Sequence, residues 1–394
     1  MSDPEAEQAM GMSAQEAERT IREGIAALQQ GRAEEARGRF EAAIESAGPL
    51  PPPWFLLAQA CRAAGDAAAE EAALDKVLAA EPRNIGALIM KGDCRGREGD
   101  SRAAVSFYAG ALAAAANAPA VSPLMRAELD RVAALAREAD AGFERQLERH
   151  LVESGVGEGA RSARFQMGLD IMLGRKKLYL QQPNSFYFPG LPQIQFYERD
   201  DFPWLAEIEA MVPAMRSELE AVLADEAGFQ PYVEVNPDRP LPANHLLGDP
   251  SWSAFYLWKG GREVPENAAR CPRTMEALAL APMPRIGGRS PMALFSLLRP
   301  GTHIKPHHGL LNTRLICHIP LIAPPGCRLR VGNEERVWEQ GKALIFDDSF
   351  EHEAWNDGTE TRVVLLFEIW RPEIEEEERA ALTAMFEAIT TFRG

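Results

Sequence analysis

The chain has 394 residues, 46% of them hydrophobic and 25% charged, with a formal net charge of −16. Its length sets two domains as the expectation, and the apolar share excludes wholesale disorder. The acidic balance disfavours nucleic acid and anionic membranes; an N-terminus without secretory-signal features, no apolar run of about 18 residues and five scattered cysteines without CxxC make a cytoplasmic location the expectation.

Gly31, Gly65 and Gly99 recur at the tetratricopeptide spacing of about 34 residues, each between alanine- and leucine-rich helical segments. With these glycines as turns, Ala36 and Ala104 occupy the small packing position of the second helix. Phe40, Leu74 and Tyr108 occupy its large one, and Gly24 and Gly92 the close helix crossing. Trp54 and Pro82 complete the pattern in the second unit. A helical hairpin cannot bury its stripe alone, so the units must stack and be capped; residues 121–152 carry Leu129, Val132, Ala136, Phe143 and Leu147 for that purpose. A repeat domain over 13–152 and a helical linker over 153–183 follow, with a peptide or protein partner on the concave surface or, equally, a scaffolding role.

Residues 181–192 read as extended or looped, 202–225 as one amphipathic helix, and the proline-rich 231–250 as a loop. Beyond Gly288 the pattern becomes short alternating runs, with strands expected at 293–299, 313–322, 328–332, 342–346 and 362–370. Such strands indicate a sandwich or jelly-roll barrel. Period-two alternation puts Arg314, Ile316 and His318 on one face, and Arg362 with Val364 and Leu366 on another. The acidic run 373–378 opens a last helix that packs over the barrel.

Five of the seven histidines fall between His303 and His352. His307 and His352 are the metal-ligand candidates, with His308 as an alternative to His307. A buried arginine such as Arg362 needs an anion, and its planar fork suits the carboxylate of a co-substrate. Non-haem iron oxygenases commonly add a carboxylate two residues after the first histidine, where this chain has Gly309. Either a carboxylate from elsewhere completes the set, or two histidines and solvent hold the metal.

Ser296, His307-x-Gly309, Arg314, His318, the run from Phe346 to Glu353, Trp355 and Arg362 together resemble the aspartyl/asparaginyl β-hydroxylase family of 2-oxoglutarate oxygenases. The segments 186–192 and Phe202-Pro203-Trp204-Leu205 resemble that family's entry to its catalytic domain. The resemblance implies a tetratricopeptide α-solenoid followed, over 184–394, by a double-stranded β-helix of cupin-like jelly-roll type with flanking helices. It implies iron(II) held by His307 and His352 without a carboxylate ligand, 2-oxoglutarate on Ser296 and Arg362 with His318 and Trp258 nearby, dioxygen as oxidant, and Asp348 holding a metal-bound water. Ile316 stands where animal members carry a second arginine, which leaves Arg314 as the substrate-binding candidate. The expected reaction is hydroxylation of an unactivated C–H, foremost the β-carbon of an Asp or Asn residue in a peptide. Small-molecule or acyl substrates, a non-catalytic 2-oxoglutarate sensor on a repeat scaffold, and a cupin-like metal module stand as alternatives.

Overall fold

The computed structural model describes residues 12–46, 50–118, 120–225, 228–234 and 244–392. The acidic stretch ahead of Met12 and residues 235–243 of the proline-rich segment lie outside the described residues. The chain divides into two compact units between Gln166 and Met167, inside the segment expected as a linker.

The first unit is a stack of helical hairpins: α1 (Ala14–Gln29) with α2 (Ala33–Glu45), α3 (Trp54–Ala64) with α4 (Ala67–Ala80), and α5 (Ile85–Arg97) with α6 (Ser101–Ala116). The turn glycines Gly31, Gly65 and Gly99 all have φ between 76° and 83°, a region costly for residues with a Cβ. Ser13, Asp66, Asn84 and Asp100 cap the first turns of α1, α4, α5 and α6. Ala36, Phe40, Leu74, Ala104 and Tyr108 are buried, as the repeat register requires. The second unit has Glu70 in place of the small alanine, and this buried carboxylate is paired with Arg97.

Helix α7 (Pro123–Glu153) caps the array with its first half only. Leu129 and Val132 are buried against α5 and α6, whereas Phe143, expected in the cap, is 56% exposed. The reason is length: 31 residues reach about 46 Å, roughly twice the 16-residue α6, so the second half outruns its support. Helix α8 (Ala163–Met172) follows. Among the described residues no helix is long and apolar enough to cross a membrane.

The second unit is built on two antiparallel sheets. Its chain order begins with β1 (Phe196–Tyr197), α9 (Leu205–Ala210), α10 (Val212–Asp225), β2 (Gln230–Pro231), β3 (Trp252–Lys259) and β4 (Arg262–Glu263). Short helices α11 (Pro265–Ala268) and α12 (Pro272–Ala279) precede β5 (Ala293–Leu298), β6 (Thr302–His307), β7 (Arg314–Ile322), β8 (Cys327–Val331), β9 (Glu334–Val337), β10 (Leu344–Phe346), β11 (His352–Asn356), β12 (Arg362–Trp370) and α13 (Glu376–Thr391). The large sheet runs β1-β10-β7-β12-β5-β3-β2 with β4 beside β3, and the small one β6-β11-β8-β9.

One apolar cluster joins facing residues of both sheets, including Leu294, Ile316 and Leu366 of the large sheet and Ile304, Leu329 and Ala354 of the small one. On the other face of the large sheet, Phe255, Phe295, Leu365 and Phe367 pack against Ile208, Met215, Leu219 and Leu278 from the helices. The helix expected over 202–225 is two helices, α9 and α10, broken at Met211. Pro213 lies in the first turn of the second, where a missing N–H and fixed φ are tolerated. The terminal helix packs as expected, Leu382 and Phe386 contacting Leu191, Leu311 and Phe186. All five cysteines are buried and free.

The extended segment ahead of β1 straps the loops around the sheets. Gln182 N–H donates to the Ser349 carbonyl (2.8 Å), Asn184 N–H to the Gly309 carbonyl (2.9 Å), and Asn184 Nδ2 to the His308 carbonyl (2.7 Å). Gln181 Nε2 donates to Asp347 (2.8 Å), and Asn312 Nδ2 donates to Gln181 (3.0 Å). Polar groups that a loop would otherwise bury without partners are thereby satisfied.

Candidate active site

His307 closes β6 and His352 opens β11, and the two are cross-strand partners in register. Their ring centroids are 4.1 Å apart. Each Nδ1 lies within hydrogen-bond distance of a backbone carbonyl two residues earlier, Lys305 at 2.8 Å and Phe350 at 3.0 Å. With Nδ1 as donor, a neutral ring keeps its lone pair on Nε2, so both imidazoles are preset as ligands for a divalent transition metal. Burial and the neighbouring His307 hold His352 well below its ordinary pKa, which favours that neutral form. The strand carrying His307 was not foreseen because Pro306 interrupts it. Its place at the edge of the small sheet is where a proline is admitted.

Gly309 faces Asp348 directly: a Cβ built on Gly309 collides with the Asp348 carboxylate. The space a carboxylate at 309 would fill therefore already holds one, supplied from the Asp347-Asp348-Ser349 turn. Among the described residues no set of three or more His, Cys, Asp and Glu side chains is placed to hold a metal. Asp348 is buried, ion-paired with Arg314 at 3.2 Å, and leaves Oδ1 without a partner. Burial raises its pKa, with Arg314 and His307 opposing. Because Asp348 is pinned, Gly309→Ala should cost on the order of 1–3 kcal/mol in chemical denaturation and weaken metal binding roughly 10–100-fold in a titration. Unchanged metal affinity would remove Asp348 from the site.

The turn beneath is locked. Asp347, fully buried, accepts from Arg371 Nη1 (2.6 Å) and from the Ser349 hydroxyl (2.6 Å) and N–H (2.9 Å). This network of Asp347, Arg371 and Gln181 holds the chain that carries Asp348 into His352.

A cavity of about 440 Å³ opens over the pair, lined among others by Ser296, Arg314, Ile316, His318, Asp348, Arg362 and Glu368. Arg362 is 1% exposed, and its Nε and one Nη have no partner. It lies over the Trp338 ring at 4.7 Å. Burial without an anion pushes its pKa down to about 10. Ser296 is buried on the adjacent strand β5, paired in register with Val364 two residues along β12 from Arg362, and accepts from Trp252 Nε1 at 3.3 Å. His318 is buried with Nδ1 unpartnered.

Loss of solvation, then the Arg362 charge, holds His318 well below its ordinary range. Unfolded, this ring takes up a proton near pH 6.5 that the folded ring refuses, so acid favours unfolding. Stability is expected to hold above about pH 6.5 and to fall below it; His318→Leu should flatten the fall in melting temperature from about pH 7 to 5. An unchanged slope would contradict this.

Trp258 is not in this cavity. A β-bulge between Tyr256 and Trp258 shifts the alternation of β3, so Trp252, Ala254 and Tyr256 face the inter-sheet core while Trp258 packs on the helical side, under Arg285 at 4.5 Å. Trp252, stacked on Tyr232 with centroids 4.0 Å apart, takes the place expected of it. Glu368 was also missed, although continuing the alternation of Arg362, Val364 and Leu366 reaches it. His303 lies elsewhere, 2.8 Å from Glu353 and stacked on Trp355.

Residues 209–372 match the family Aspartyl/Asparaginyl beta-hydroxylase. This part of the chain is an aspartyl/asparaginyl beta-hydroxylase family domain. The chain is 43% identical over 148 residues to the human protein named Aspartyl/asparaginyl beta-hydroxylase, covering 37% of this chain and 19% of that one. It is 38% identical over 179 residues to the Ornithine lipid ester-linked acyl 2-hydroxylase of Rhizobium tropici, covering 45% and 60%. It is 33% identical over 213 residues to the human Aspartate beta-hydroxylase domain-containing protein 2, covering 52% and 55%. The chain thus spans less than two thirds of each of these relatives. The helical region is similar to PcrH from Pseudomonas aeruginosa (18% identity, TM-score 0.29, 34% of this chain and 97% of that one) and to the Sgt2 TPR domain from Aspergillus fumigatus (20%, 0.29, 34% and 88%).

Proposed function

We propose that the hydroxylase-family domain is an iron(II)- and 2-oxoglutarate-dependent dioxygenase acting on an unactivated C–H bond, with its two sheets forming a double-stranded β-helix. The observation that carries this reading is Arg362: a buried cation with unpaired N–H groups on the same cavity as two imidazoles preset for a metal. Such a charge is costly unless an anion reaches it, and a dicarboxylate that also reaches the metal meets both needs.

His307 and His352 would hold the iron. The bound metal, with 2-oxoglutarate and dioxygen, supplies the oxidising power to replace C–H by C–OH, releasing succinate and carbon dioxide. Arg362 and Ser296 would receive the far carboxylate of 2-oxoglutarate, with the neutral His318 nearer its other end. Asp348, fixed by Arg314, positions the metal shell from outside it. Trp252, Tyr232, Phe346 and Leu366 line the cavity and keep water from the reacting bond.

The substrate reading is the β-carbon of an Asp or Asn residue in a peptide or protein held by the repeat unit. That unit carries its own cavity of about 480 Å³ lined by Arg62, Asp93, Tyr108 and Arg131. The full chain with iron(II) and 2-oxoglutarate in air, given Asn and Asp peptides and an acyl lipid, should form succinate in proportion to hydroxylated product. Absence of both succinate and 2-oxoglutarate-dependent metal binding would refute the proposal.

A further inference from the structure

Arg314 is the one Lys or Arg residue of β7, and two carboxylates share it. Its Nε lies 3.2 Å from Glu368 Oε1 and one Nη lies 3.2 Å from Asp348 Oδ2. All three side chains are more than nine-tenths buried and line the cavity. Glu368 is fixed in turn, its Oε2 accepting from the Met292 N–H at 3.2 Å. Ile316, directly across the strand pair from Glu368, adds no charge of its own.

The cluster of one guanidinium and two carboxylates is therefore net negative when ionised. Of the other described cations of the cavity wall, Lys259 pairs with Glu234 at 2.9 Å, Arg362 faces the proposed 2-oxoglutarate carboxylate, and Arg289 lies over the Phe386 ring at 4.4 Å, near enough for its charge to act on Glu368 and Arg314. Two buried polar atoms remain without partners, the donor Arg314 Nη1 and the acceptor Asp348 Oδ1. A carboxamide offers an acceptor to the first and a donor to the second. A carboxylate can meet only the first, and it adds a third negative group to a buried site that holds two.

We infer that Glu368, by sharing Arg314 with Asp348, is a specificity-determining residue that makes the inner cavity selective for an uncharged substrate group, a carboxamide in particular, over a carboxylate. This narrows the Asp-or-Asn reading to its amide member, and it rests on taking the cavity as the substrate site of the proposed hydroxylase.

The test uses the full chain with iron(II) and 2-oxoglutarate, and two peptides identical except for one Asn or Asp. Calorimetry under nitrogen reads binding, and succinate formation in air reads kcat/KM. Wild type should favour the Asn peptide by about tenfold or more, since like-charge juxtaposition costs several kcal/mol and each 1.4 is tenfold. Glu368→Gln, near-isosteric, frees half of Arg314 and should lower that ratio by about tenfold, whereas Glu368→Asp, which keeps the charge, should retain the preference. Because each ratio is taken within one preparation, a general loss of active protein cancels. Equal binding of both peptides, binding of neither, or a Glu368→Gln ratio equal to wild type overturns the inference. Selective binding without succinate in any arm leaves it standing and counts against the dioxygenase reading instead.

Discussion

Succinate formation is expected to fall by about a thousandfold or more in His307→Ala and in His352→Ala, because metal-ion catalysis contributes several kcal/mol and the facing pair supplies both proposed imidazole ligands. The two rings face one another across β6 and β11 with both Nδ1 atoms at backbone carbonyls, so each loss removes half of the protein's share of the metal shell. Metal titration should show the same loss, which separates ligation from a fault in folding. His303→Ala is the control. That ring also sits on β6, but it is engaged with Glu353 and Trp355 away from the cavity, and its variant should keep activity within a few fold. Equal loss in all three variants would mean that the sheet edge, rather than the metal, had been damaged.

Arg362→Met should separate binding from stability, and in opposite directions. In the absence of 2-oxoglutarate the variant is expected to be as stable as wild type or up to about 4 kcal/mol more so, since an unpaired buried charge is exchanged for an apolar chain that still covers Trp338. The KM for 2-oxoglutarate should rise about a hundredfold or more, the loss of a charge-assisted pair in a dry site. Arg371→Met gives the contrast. Arg371 is buried too, but it is paired with Asp347, and its removal leaves that buried carboxylate without its cation at a cost of roughly 3–5 kcal/mol. Urea melts with and without 2-oxoglutarate check both. If Arg362→Met were as destabilising as Arg371→Met, the former would be a structural cation and the co-substrate reading would lose its main support.

Much of this was legible along the chain. The turn glycines declare themselves because only a positive φ closes those hairpins, and their spacing then sets Ala36, Phe40 and Tyr108 in register. The long strands β5, β7 and β12 show in their apolar alternation, which also aims Arg314, His318 and Arg362 at one cavity. What escaped depends on interruptions of period. The bulge in β3 exchanges Trp258 for Trp252, and no local residue announces it. Pro306 conceals β6, and Met211 with Pro213 splits one helical pattern into two. Long-range pairs such as Arg314 with Glu368 or Gln181 with Asp347 carry no local signature, since topology alone makes them neighbours.

The strap ahead of β1 bears on how this domain can be cut. The match to the hydroxylase family as a whole starts at residue 209, yet Gln181, Gln182 and Asn184 supply hydrogen bonds to Asp347, Ser349, His308 and Gly309, and β1 closes the large sheet against β10. A fragment trimmed to the region of similarity would expose those carbonyls and a bare strand edge, inviting aggregation. The smallest portable form of the hydroxylase-family domain is therefore expected to start upstream of Gln181, at a boundary set by hydrogen bonds rather than by resemblance.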